Sequence, residues 1–271
     1  MMSPKKALTI AGSDTSGGAG IQADLKTFQE LGVYGMTALN VVVAQDPHRE
    51  WFHEVFLLPN DLFKAQLETV VSGIGVDALK TGMLASVEAI QITADLIEKH
   101  DLQNVVVDPV MVCKGAEPLH PELASTLQNV LVPKATVVTP NLFEAAQLAG
   151  MEPITTVEQM MEAAHKIQAN GAKYVIVKGG AKLEHENAVD VLYDGQEFEV
   201  LESERIETTW THGAGCTFSA AITAELAKGK PVREAILTAK DFITEAIAAG
   251  FEINQFVGPT WHGAYRDKLN K

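Results

Sequence analysis

Short apolar runs rich in β-branched residues alternate with amphipathic helical stretches along the chain, and this alternation narrows the fold more than any other feature. Strand candidates lie at residues 7–11, 37–44, 78–81, 105–107, 135–138 and 174–177. Most are apolar almost throughout, as parallel strands covered on both faces must be. The pattern predicts an α/β fold with a mostly parallel sheet and helices on both faces. On such sheets ligands bind beyond the carboxyl ends of the strands.

The helices announce their ends. Ile21, Leu25, Phe28 and Leu31 form one stripe that stops at Gly32, a residue suited to helix termination. Thr155 and Glu158 have capping-box spacing ahead of Met161, Ala164 and Ile167. A further helix over 232–249 follows Pro231 and ends at Gly250. One stretch breaks the alternation: residues 189–193 and 197–201 flank Asp194-Gly195, a β-hairpin signal. No repeat or linker interrupts residues 1–271, which are read as one domain.

A formal charge of −14 disfavours nucleic acid and anionic membrane as partners, since both need clustered Lys and Arg. An anionic nucleotide would need a local exception built from backbone N–H groups and a few basic residues. Two cysteines do not make a disulfide framework, and no apolar run approaches the roughly 18 residues needed to span a bilayer. A reducing cytoplasm is the expected compartment.

That local exception is offered by Thr211-His212-Gly213-Ala214-Gly215-Cys216-Thr217, which leads into a helix of small residues. Glycines let backbone approach a ligand closely, and a helix start presents unpaired N–H groups to an anion. Gly213, Ala214, Gly215 and Cys216 are therefore catalytic candidates, and a first-turn position is expected to depress the Cys216 pKa. The other glycine segment, with Gly12, Gly17, Gly18 and Gly20, does not fit the dinucleotide fingerprint, and no Walker-type loop is present. Lys178 ends an apolar run before Gly179-Gly180, where it could act as a point charge on phosphates.

These segments together resemble the ribokinase-like superfamily, in the branch that holds hydroxymethylpyrimidine and pyridoxal kinases and nearest to its Gram-positive pyridoxal-kinase-like members. The resemblance is carried by residues 11–28, KTGM at 80–83, DPVMVCKG at 108–115, TPNLFEA at 139–145, VKGG at 177–180 and the HGAGC segment, with Cys216 where sugar kinases have an acid. It covers essentially the whole chain.

The resemblance implies a three-layer ribokinase-like fold with a small β-hairpin, and ATP and Mg²⁺ as requirements. It implies phosphorylation of the 5′-hydroxymethyl group of pyridoxal, with pyridoxine and pyridoxamine, in vitamin B6 salvage; hydroxymethylpyrimidine or its phosphate stays open as alternative or second acceptor. Gly12, Asp14, Gln45 and Met83 would line the acceptor pocket. His53 and Cys113 would belong to lids, Cys113 adding to the substrate aldehyde as a hemithioacetal. Asn141, Lys178, Gly180, Thr211, His212 and Gly213 would meet the nucleotide. Asp108 and Glu144 would help hold Mg²⁺, and Cys216 would be the base. A homodimer is the family expectation.

Overall fold

A computed structural model describes residues 3–111 and 121–270. Nine strands form one sheet in the order β3-β2-β1-β4-β5-β6-β7-β8-β9. They are β1 (Lys6–Asp14), β2 (Tyr34–Asp46), β3 (Phe52–Leu57), β4 (Ala78–Thr81), β5 (Val105–Val107), β6 (Val137–Val138), β7 (Tyr174–Gly180), β8 (Ala188–Tyr193) and β9 (Phe198–Ser203). From β2 to β7 every pairing is parallel, while β3 on one edge and β8 and β9 on the other are antiparallel.

The helices are α1 (Gly20–Glu30), α2 (Asn60–Val71), α3 (Val87–Lys99), α4 (Pro121–Thr126), α5 (Leu142–Ala149), α6 (Val157–Gln168), α7 (Ala214–Ala227), α8 (Val232–Ala248) and α9 (Ala264–Leu269). Side chains alternate across a strand, so β1 feeds two cores. Leu8 and Ile10 join Phe63, Leu67, Ile90 and Ile97 of α2 and α3 on one face. Ala7 joins Phe28, Phe218, Ile222 and Phe242 of α1, α7 and α8 on the other. The small residues of α7 are buried from Thr217 to Ala227, which makes this helix the inner member of its layer.

The strand runs read from sequence all appear, with β2 longer than expected and β6 reduced to two residues. The hairpin at Asp194-Gly195 is β8–β9. Two features differ from expectation. The capping box on α6 is made by Thr156 and Gln159, each side chain reaching the other's backbone, and not by Thr155 and Glu158. Thr155 instead donates its N–H to Gln159 at 2.7 Å, so the motif is displaced by one residue. A second antiparallel excursion, β3, also escapes the apolar pattern, because Val55, Phe56 and Leu57 are exposed on an edge strand.

Candidate active site

Six parallel strands end along one rim, and the residues at or just beyond those ends line a cavity of about 370 Å³, within the usual range for small-molecule sites. Asp14 closes β1, Gln45 lies near the end of β2, Gly82 and Met83 follow β4, Asp108 follows β5, Asn141 follows β6, and Lys178 lies on β7. The two glycine segments cover this rim from opposite ends of the sequence.

Gly213 has φ +81°, and a Cβ there would strike the Gly18 carbonyl oxygen, so only glycine lets the two segments close on each other. Gly12 sits at a register shift in the β1–β2 pairing, where a side chain would press on Val41. The close approach brings the starts of α1 and α7 to the same place. Gly20, the first residue of α1, directs its N–H to the Cys216 sulfur in the first turn of α7.

The N–H groups expected to form an anion hole are only partly idle. Ala214 donates to the Thr211 carbonyl at 3.1 Å. Gly213, Gly215 and Cys216 make no such backbone bond among the described residues. Three donors thus remain open to a ligand, not four. The Cys216 thiol departs further from expectation: burial pushes it up to about 12, and Asp24 and Asp108 add to the rise while Lys80 and the Gly20 N–H oppose it. Desolvation outweighs the helix start, so the group rests as a thiol.

On one side of the cysteine lies an ionic cluster. Lys178 Nζ donates to Asp108 Oδ1 at 3.1 Å, and Asp108 also accepts from Thr139 at 3.2 Å and Ser219 at 3.1 Å. Burial opposes the Asp108 charge, but Lys178, Lys80 and these bonds hold its carboxyl below the usual range. Glu144 and Asn141 form a capping box on α5, with Asn141 N–H donating to Glu144 Oε2 at 2.9 Å. Burial, with the Asp108 charge, pushes Glu144 up to about 7 against the pull of Lys178. Two buried carboxylates, one of them short of counter-charge, are hard oxygen donors of the kind Mg²⁺ takes.

On the other side lies a polar group around Asp14. Its carboxylate accepts from His212 Nε2 at 2.8 Å, Gln45 Nε2 at 2.7 Å, Ser16 Oγ at 2.8 Å and the Ala19 N–H at 2.7 Å. Burial pushes Asp14 up, yet His212, Ser16 and Ala19 hold it well below the usual carboxylate range. His53, buried on β3 opposite Gln45, meets the His212 ring edge-on at 6.2 Å.

Most of the residues predicted from sequence meet here: Gly12, Asp14, Gln45, His53, Met83, Asp108, Asn141, Glu144, Lys178, Thr211, His212, Gly213, Ala214, Gly215 and Cys216 all line the cavity. His212, expected to meet the nucleotide, is held against Asp14, which was expected to meet the acceptor. Gly180 does not line the cavity; its N–H faces Asp190 at a bulge in β7. Cys113 lies outside the described residues. Lys80 and Asp24 were not predicted: Lys80 hides in an apolar strand, and its partner is 56 residues away. No helix among the described residues is long and apolar enough to cross a membrane.

A sequence model of the phosphomethylpyrimidine kinase family matches residues 14–261. Pyridoxine kinase of Bacillus subtilis is 64% identical over 266 residues, 98% of each chain. The solved ADP complex of Bacillus subtilis pyridoxal kinase superposes with a TM-score of 0.95 over 97% of this chain and 99% of that one, at 64% identity. Staphylococcus aureus pyridoxal kinase, solved with AMP-PCP and pyridoxal, gives a TM-score of 0.93 at 51% identity, covering 97% of this chain and 95% of that one.

Proposed function

The chain belongs to the phosphomethylpyrimidine kinase family, and within that family we propose that it transfers the γ-phosphoryl group of ATP to the 5′-hydroxymethyl group of pyridoxal and its alcohol and amine forms, the kinase step of vitamin B6 salvage. One observation carries the reading to this site. Cys216 stands where two helix starts converge, between the Lys178–Asp108 cluster and the Asp14–His212–Gln45 group. We assign the first group to the phosphate donor and the second to the polar ring of the acceptor. The high identity to named pyridoxine and pyridoxal kinases supports the choice of acceptor.

In this mechanism Cys216, having first lost its own proton to solvent, takes the proton of the acceptor hydroxyl as the hydroxyl oxygen bonds to the γ-phosphorus and the bond to the β–γ bridging oxygen breaks. ADP leaves. The N–H groups of Gly213, Gly215 and Cys216 face the charge on the transferring group, and Lys178 supplies a cation beside it. Asn141 and Thr211 complete the nucleotide side. Asp108 and Glu144 would hold Mg²⁺, which supplies further neutralisation of phosphate charge when bound. Asp14, Gln45, Gly12 and Met83 receive the ring, and the His53 and Cys113 segments exclude water, a competing acceptor.

A second acceptor is favoured by Gln45. One N–H of its amide donates to Asp14, which fixes the amide and leaves the carbonyl oxygen as an acceptor for the ligand. A ring hydroxyl, as in pyridoxal, and a ring amine, as in hydroxymethylpyrimidine, both donate to such an oxygen. Incubating the enzyme with ATP, Mg²⁺ and each acceptor, followed by mass spectrometry, tests the assignment. Phosphate gain by pyridoxal and pyridoxine is expected; gain by hydroxymethylpyrimidine alone would transfer the enzyme to thiamine-precursor synthesis.

Homodimerisation and a cytoplasmic location complete the proposal. A second copy would cover the exposed Val55, Phe56 and Leu57 of the edge strand. Sedimentation at micromolar concentration tests it, and a monomer would refute it.

A further inference from the structure

Lys80 is fully buried at the foot of the cavity, on the wall it shares with Cys216 and Asp108. It lies on β4, paired in register with Thr9 of β1. Its ammonium donates to Asp24 Oδ1 at 2.7 Å, and Asp24 is fixed in turn by the Thr9 hydroxyl at 2.6 Å. Among the described residues Asp24 is the sole hydrogen-bond partner of Lys80 Nζ. An ammonium has three donors, and Asp24 Oδ1 takes one of them. A buried ion pair is a weak device for stability, because desolvation offsets most of the attraction and apolar residues of similar volume replace it at little loss. This one is therefore placed for something other than holding β4 to α1.

We propose that Lys80, anchored by Asp24, is a positioning residue for proton removal: its buried charge is what allows Cys216 to exist as a thiolate while the acceptor hydroxyl reacts. The idea rests on the base role given to Cys216 above. Four charged groups face the sulfur from the surrounding elements: Lys80 on β4, Asp24 on α1, Asp108 beyond β5, and Lys178 on β7. The two acids disfavour the thiolate and Lys80 favours it, whereas Lys178 is already committed to Asp108. Asp24 has two effects: it keeps Lys80 protonated, and its own charge opposes the thiolate. Burial works against the Lys80 charge, but Asp24, Cys216 and Asp108 outweigh it and keep the ammonium.

Because Lys80 acts on the Cys216 charge more strongly than Asp24 does, replacing the ion pair by neutral side chains should lower the thiolate content. In a Cys113→Ser background Cys216 is the remaining thiol of the two in the chain, and its iodoacetamide alkylation rate against pH reads its thiolate content without turnover. The neutral pair Asp24→Asn with Lys80→Met, which leaves no charge of the ion pair behind, should slow alkylation at pH 9 by about tenfold relative to the Cys113→Ser parent, one unit of pKa. With pyridoxine as acceptor the neutral pair should lose kcat while KM for ATP stays within about twofold, the pattern of a lost transition-state interaction.

Coincident alkylation profiles in the parent and the neutral pair would overturn the proposal. So would a shifted profile with unchanged kcat, because the coupling would then have no part in turnover. A parent protein that phosphorylates no B6 form would instead sink the kinase reading, and the alkylation profiles would still decide whether Lys80 controls the thiol.

Discussion

The carboxylate of Asp14 and the imidazole of His212 meet at 2.8 Å across 198 residues of sequence, joining the two glycine segments at the rim of the cavity. On the proposed assignment of Asp14 to the acceptor, the pair takes His212 to the same subsite. Its first consequence is a substitution effect confined to one substrate.

Asp14→Asn should raise KM for the acceptor by about tenfold or more, the usual worth of a charge-assisted hydrogen bond, with little change in KM for ATP. Loss of the carboxylate frees both His212 and Gln45, so His212→Gln should act in the same direction and more weakly. Steady-state kinetics with each substrate varied in turn checks both. A selective rise in KM for ATP in either variant would return His212 to the nucleotide side.

Lys178→Ala should raise KM for ATP about 10–100-fold and lower kcat, with acceptor affinity nearly unchanged. The same variant leaves Asp108 buried beside Glu144 without its cation, so its melting temperature should also fall. Calorimetry and kinetics on one preparation separate the two effects. Selective loss of acceptor affinity would reverse the two subsites.

His262 gives a prediction for pH and stability. It is buried against Thr217, whose hydroxyl lies 3.0 Å from its Nε2, and burial, with Lys26 nearby, pushes the imidazole down to about 4. Below about 6.5 the unfolded chain binds a proton that the folded one refuses, so stability falls as pH drops from about 6.5 toward 4, by roughly 3 kcal/mol in total. Glu144 works the other way: its raised pKa, about 7, makes the folded state bind a proton first and adds stability between about 7 and 4.5. The difference between wild type and His262→Gln isolates the histidine. Melting curves of the two should converge as pH falls from 6.5 to 4.5; parallel curves would show that His262 does not refuse the proton.

The fold was largely legible because its central strands are apolar on both faces, as Val105, Val106 and Val107 are, and such runs need no tertiary knowledge to read. The edge strand β3 was not, since Val55, Phe56 and Leu57 are exposed in succession and its only neighbour is β2. The candidate site was legible where glycines and a helix start mark it, around Gly213 and Cys216. Its electrostatics were not. The Cys216 pKa is set by desolvation and by Asp24, Lys80 and Asp108, which come from three other elements and leave no mark in the neighbouring sequence. The displaced capping box shows the same limit on a smaller scale: Thr155-Thr156 and Glu158-Gln159 offer two registers, and only the turn geometry chooses Thr156.

Cys113, which lies outside the described residues, carries the acceptor prediction. A thiolate adds reversibly to aldehydes, so Cys113→Ala should lower kcat/KM for pyridoxal more than for pyridoxine or hydroxymethylpyrimidine, which have no aldehyde to trap. Kinetics with all three acceptors measure this. Equal fractional losses would remove the hemithioacetal and leave the kinase assignment standing.

The account stands most directly on Cys216 as the group that removes the proton. Its test is kcat for pyridoxal phosphorylation by Cys216→Ala, with ATP and Mg²⁺ saturating and melting temperature confirming the fold. General-base removal predicts a loss of about 10²–10⁴-fold with KM for ATP close to that of the parent. Turnover within a few fold of the parent would show that the acceptor proton leaves without Cys216, and the base role would fall.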